Sequence, residues 1–91
     1  MTQFEKVCEK LEDWRDCRSP LAGLFSTVKD LGDGVKAIYG PLSFPEDSMD
    51  GSYLEIEDDE VVIDYSEFPK DMPVEEVLGK IKAAINPLEV A

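Results

Sequence analysis

Residues 52–57 and 60–65 alternate between apolar and polar side chains with a period of two. That pattern fits a half-buried β-strand and suits a helix poorly. With Asp58-Asp59 as the tip of a hairpin, Glu57 faces Glu60, Ile56 faces Val61, Glu55 faces Val62, Leu54 faces Ile63 and Tyr53 faces Asp64. Facing residues of an antiparallel pair share a side. One side then carries Leu54, Ile56, Val61, Ile63 and Tyr65, and the other Tyr53, Glu55, Glu57, Glu60, Val62 and Asp64. A one-residue slip would scramble this sorting. Asp-Asp is a poorer primed turn than Asn-Gly, which leaves a four-residue loop of the same register open.

The flanking segments have other periods. Thr2 and Glu5 match a capping box, and Phe4, Val7, Cys8, Leu11 and Trp14 recur at helical spacing, predicting a helix over about 2–18. Ser19-Pro20 marks a new start, and Leu21, Leu24, Phe25, Val28 and Leu31 predict a second helix over about 20–31, closed by Gly32 and Gly34. Val35 to Tyr39 reads as a strand over about 35–39. Val74, Val77, Leu78, Ile81 and Ile85 share a face of a last helix over about 73–86. Glu75 and Glu76 suit its N-terminus, and Lys80 and Lys82 its C-terminus. The expected architecture is a single α+β domain over 1–91. It has two N-terminal helices, a three-stranded antiparallel sheet and a C-terminal helix packed on one sheet face, the other face being open.

The open face is where the charge lies. The 91 residues carry a net charge of −12, yet residues 46–76 hold 13 acidic side chains and one basic one, Lys70, while the remainder is balanced. Like charges facing each other across a sheet cost up to ~1 kcal/mol per pair. Tolerating that cost suggests a surface built to meet positive charge. Alternate residues of a strand lie ~6.8 Å apart, a spacing comparable with that of phosphates along a nucleic acid. Glu55, Glu57, Asp58, Asp59, Glu60 and Asp64 are the expected acceptors for arginine and lysine. Asp47 and Asp50 extend the field, and Tyr53 and Val62 supply packing contact. The plain alternative is a solvated face that serves solubility.

Chemical motifs are sparse. There is no His, and the two Cys lack zinc spacing, so no metal site, proton shuttle or catalytic triad is expected. Cys8 reads as a small core residue, with Cys17 on the opposite side of the same helix. Residues 46–57 overlap the spacing of a calcium loop, but Pro45 precedes them and a strand pattern follows. Asp47-Ser48-Met49-Asp50 resembles the Asp-Ser-Leu-Asp of acyl carrier proteins, where the serine carries phosphopantetheine. Here Gly51 and the β-branched run Val61-Val62-Ile63 stand where that helix would continue. Carboxylates on an open face keep ordinary acidity and 91 residues leave little room for a substrate cleft, so no enzyme and no cofactor are expected.

The function expected from these features is inhibition. The acidic hairpin would dock on a basic, nucleic-acid-binding protein and block it. In charge and size alone the chain is similar to phage-encoded anti-defence proteins such as anti-CRISPR and anti-restriction DNA mimics. An immunity protein or antitoxin neutralising a basic nuclease would use the same physics; an acyl-carrier-like or calcium-binding module built on the 46–57 stretch is a further alternative, and a plain accessory subunit would not need the charge. Phosphate would be repelled, so direct contact with nucleic acid or an anionic membrane is not expected. No apolar run reaches the ~20 residues of a span and no signal-peptide pattern opens the chain, which points to the cytoplasm, of a host cell in the case of a phage protein. A free edge strand leaves both monomer and homodimer open.

Overall fold

A computed structural model describes residues 3–11, 13–18, 25–41, 51–69 and 71–88. Five strands form one antiparallel sheet in simple chain order. They are β1 (Arg15–Arg18), β2 (Phe25–Gly32), β3 (Val35–Pro41), β4 (Ser52–Asp58) and β5 (Val61–Phe68). A short helix, α1 (Gln3–Cys8), precedes them. A longer one, α2 (Val74–Ile85), follows and runs into a 3₁₀ turn at Asn86–Leu88. The protein is α+β, with an antiparallel sheet and a C-terminal helix.

Both N-terminal helices of the sequence reading need correction. The first ends at Cys8, and Arg15–Arg18 pairs with β2 as an edge strand. Its apolar stripe still reaches the core: Phe4 and Val7 are buried there, and Cys8, Leu11 and Trp14 pack against it. The proposed second helix is, over its described part, strand β2. Val28 and Leu31 stand three apart, which puts them on opposite faces of a strand: Leu31 turns into the core on the side of the Lys29↔Ala37 pair, while Val28, paired with Ile38, is buried on the other face. A bulge at Leu31, between the pairs Asp30↔Lys36 and Gly32↔Val35, then leads into the turn. Asp33 and Gly34, with φ of 54° and 83°, form the tight turn into β3, a geometry that twisted hairpins favour. Thr2, Ser19, Pro20, Leu21 and Leu24 lie outside the described residues.

The core sits between one sheet face and the helices. Ala37 and Tyr39 of β3, Leu54 and Ile56 of β4, and Phe68 of β5 meet Phe4, Val7, Val77, Ile81 and Ile85. The Phe4 and Tyr39 rings stack at 5.1 Å. A buried polar chain crosses this layer: the Tyr39 hydroxyl donates to Ser52 Oγ (2.8 Å), and Ser52 Oγ donates to Gln3 Oε1 (2.8 Å). The Gln3 amide then donates to the carbonyls of Pro69 (2.6 Å) and Met72 (3.1 Å). Each buried polar atom in this chain is thereby satisfied, and the start of α1 is fastened to the connection that aims α2.

The hairpin β4–β5 forms, but at a different register. Its tip is Asp59-Glu60, with Asp58↔Val61 and Glu57↔Val62. Moving the tip by one residue leaves the sorting of faces unchanged. The exchange comes next, because Ile63 is bulged out between the pairs Glu57↔Val62 and Ile56↔Asp64. Beyond it Asp64 and Ser66 lie on the helix side, and Tyr65 and Glu67 on the open side. The inward positions expected for Val61, Ile63 and Tyr65 are thus overturned: they are 63%, 52% and 49% exposed. Val61 does point to the helix side, but it stands past the end of the helical layer.

Asp59 and Glu60 both have positive φ, 50° and 70°. Asp tolerates that conformation better than Glu, which pays roughly 1–2 kcal/mol for it. Replacing Asp59-Glu60 by Asn-Gly should therefore stabilise the fold by about 1 kcal/mol. A rise in the denaturation midpoint at unchanged slope would verify it, and a fall would mean the two side chains hold the tip by bonds of their own.

Candidate acidic docking face

On the open face, register alone decides the neighbours. Lys36 pairs with Glu57, Ile38 with Glu55, and Gly40 with Tyr53. Tyr65 lies opposite Glu55, and Glu67 opposite Tyr53. Gly40 lets the Tyr53 ring lie flat across β3: a Cβ at that position would stand 2.8 Å from three atoms of the Tyr53 ring and hydroxyl. A glycine covered by a cross-strand aromatic is a recognised way to pin register. Tyr53 in turn stacks on Tyr65 at 5.8 Å between centroids, and the Tyr65 hydroxyl donates to Glu67 Oε2 at 2.8 Å.

The result is a pair of stacked phenols framed by Glu55, Glu57 and Glu67. Burial of its ring, with the neighbouring charges of Glu55 and Glu57, raises the Tyr53 phenol. Partial burial, the hydrogen bond to Glu67 and the negative field push the Tyr65 phenol up to about 12. Both stay neutral and serve as packing surface. The Glu55 carboxyl is also raised, first by burial, then by its hydrogen bond and repulsion with Glu57. Ionised Glu55 is therefore more costly in the folded chain than in the unfolded one. Stability gains as pH falls through the raised folded value and gains nothing further below the ordinary carboxylate range. Glu55→Gln should melt higher than the parent at neutral pH. The gap should close on acidification into that range, as parallel melts across pH would show.

Positive charge on this face is displaced toward the other edge. Arg15 binds Asp30 at 2.9 Å with both side chains about two-thirds exposed, and Lys36 approaches Glu57 at only 4.0 Å. Lys10, Lys29 and Lys82 line a cavity of about 370 Å³ with Trp14 and Ile81 on the helix side, away from the hairpin. The sheet thus runs from a mixed basic edge at β1 to an acidic edge at β5.

Among the sequence-predicted residues, Tyr53, Glu55, Glu57 and Val62 share the open face. Asp58, Asp59 and Glu60 cluster at the exposed hairpin tip. Asp64 is exposed on the helix side, opposite Ile56, and is separated from the row it was expected to join. Asp47 and Asp50 lie outside the described residues. Tyr65 and Glu67 were missed. Their signal was the unbroken apolar run Val61-Val62-Ile63, in which no alternation can be read and a bulge can hide. Among the described residues no group of three or more acidic or cysteine side chains converges to hold a metal ion, and no helix is long and apolar enough to cross a membrane. The chain matches no protein-family model, no curated protein and no solved structure.

Proposed function

We propose that this chain is a non-enzymatic binding protein whose acidic face on β4–β5 docks on a basic surface that otherwise grips nucleic acid. The reading is carried by one arrangement: Glu55, Glu57 and Glu67 surround the stacked Tyr53 and Tyr65 on a sheet face that no helix among the described residues covers. Carboxylates accept guanidinium and ammonium groups, and an aromatic face adds cation–π attraction. Rigid tyrosines add contact area at little entropic cost. Blocking follows from occupancy, since arginines engaged by these carboxylates no longer reach phosphate. An anti-defence inhibitor and an antitoxin against a basic nuclease would both act in this way.

The test is competition. A fluorescently labelled DNA duplex held by an oligo-arginine peptide is titrated with the protein, and release of the duplex is followed by anisotropy. Release that weakens steeply between low and moderate salt is expected. Retention of the duplex at low salt would remove the proposal.

A further inference from the structure

The outer edge of β5 has a property that charge alone does not explain. Val61, Val62, Ile63 and Tyr65 are the large apolar side chains left exposed among the described residues, and all four lie on this one strand. Among the described residues β5 is also the end of the sheet, with β4 as its neighbour in the strand order. An apolar edge strand with unsatisfied backbone groups is a template for another strand, and chains that do not use it break it with lysine, proline, bulges or inward-pointing charges. β5 contains no lysine or proline; its bulge at Ile63 and the helix-side charge of Asp64 sit toward the tip and leave Tyr65–Phe68 regular. Its bulge at Ile63 adds a third apolar side chain to the exposed end.

We infer that β5 accepts an extended basic segment of a partner protein as a sixth strand, one whose side chains alternate between arginine or lysine and aliphatic residues. This rests on the proposed docking face and specifies how it is engaged. An added strand lies ~4.8 Å beyond β5. Its open-side residues come beside Val62, Tyr65 and Glu67, with Glu55 and Glu57 one strand further in. Cationic side chains fit there, over the Tyr65 ring and against the carboxylates. Its helix-side residues come beside Val61, Asp64 and Ser66. A cavity of about 520 Å³ adjoins that side, lined by Leu54, Phe68, Met72 and Ala83 with Ser66, Glu67 and Lys80; its apolar wall suits an aliphatic side chain, and Lys80 disfavours a cationic one there. Charge complementarity selects a foreign segment over a second copy. Two-fold antiparallel pairing of β5 would bring the two copies of an edge strand carrying Asp64 and Glu67 together, each chain carrying −12.

The probe is a short capped peptide alternating arginine with valine, compared with two versions of it. One carries backbone N-methyl groups on the arginines, the other on the valines. Each strips hydrogen bonds from one edge of the peptide while leaving every charge in place. Strand addition uses a single edge, so one of the two should bind about tenfold or more weakly than the parent peptide and the other much less so. Equal affinity of all three, with salt dependence retained, would overturn strand addition and leave the electrostatic reading standing. Failure of all three while the oligo-arginine peptide still releases its duplex would have the same meaning. Sedimentation of the protein alone should show a monomer. A dimer abolished by Val62→Lys would assign the edge to a second copy and overturn the inference.

Discussion

Ile56→Ala should destabilise the protein by about 2–5 kcal/mol, whereas Ile63→Ala should cost less than about 1 kcal/mol. The two residues are alike in chemistry, and both belong to the alternating hairpin. Ile56 has no exposed surface, lies in the middle of β4 and contacts the helical layer through the shared core. Truncating it removes buried methyl and methylene groups and leaves a cavity whose walls are fixed by Ala37, Leu54 and the helix. Ile63 is 52% exposed on the bulge, where water already replaces most packing contacts. For a domain of this length, with roughly 5–9 kcal/mol of total stability, the first change consumes a large part of the reserve. Each kilocalorie lowers the melting temperature by about 4–8 °C. Thermal melts of the two variants decide the point. Equal destabilisation would mean that β5 turns Ile63 inward, as the simple alternation implies, and the apolar edge would disappear with it.

Glu55, Glu57 and Glu67, changed together to Gln, should weaken binding to the oligo-arginine peptide by roughly 30–100-fold at low salt. Three charge contacts, of Glu67 exposed and of Glu55 and Glu57 partly exposed, at up to ~1 kcal/mol each give that range. A matched variant isolates the role of position: Glu9, Glu75 and Glu76 changed to Gln remove the same formal charge from the helical side. It should weaken binding clearly less than the hairpin variant does, since those exposed groups lie on the helical side and outside the row of carboxylates that the peptide meets. Comparable losses in the two variants would mean that net charge, and no particular face, attracts the peptide. The hairpin variant should also melt no lower than the parent. It relieves the burial cost and the repulsion that raise Glu55; against this it gives up the 4.0 Å approach of Lys36 to Glu57 and replaces the carboxylate acceptor of the Tyr65 hydroxyl by an amide.

How far the fold could be read varied from element to element. α2 was fully legible, because Val77, Ile81 and Ile85 keep one strict helical face from the proline before them to Asn86. β4 was legible because its buried and partly exposed residues alternate without exception from Ser52 to Glu57. β2 was misread, because Val28 and Leu31, apolar residues three apart, fall on opposite faces of a strand, and the same spacing places them on one face of a helix. β1 was hidden for a related reason. Arg15–Arg18 has too few apolar side chains to show any period and is a strand through its pairing with β2.

The chain's own order of residues determined that residues 46–76 would carry the negative charge, that a hairpin would present it, and that a C-terminal helix would cover one side. Each of these follows from local chemistry, from charge, alternation and helical period. Only the tertiary structure decided which carboxylates stand together. A single extra residue at Ile63 moves Tyr65 and Glu67 onto the acidic face and Asp64 off it. The extent of the helical layer then leaves Val61 uncovered. Bulges cost one unpaired residue and leave no compositional trace, so pairing with the neighbouring strand, and not the strand's own sequence, sets the face on which each side chain emerges.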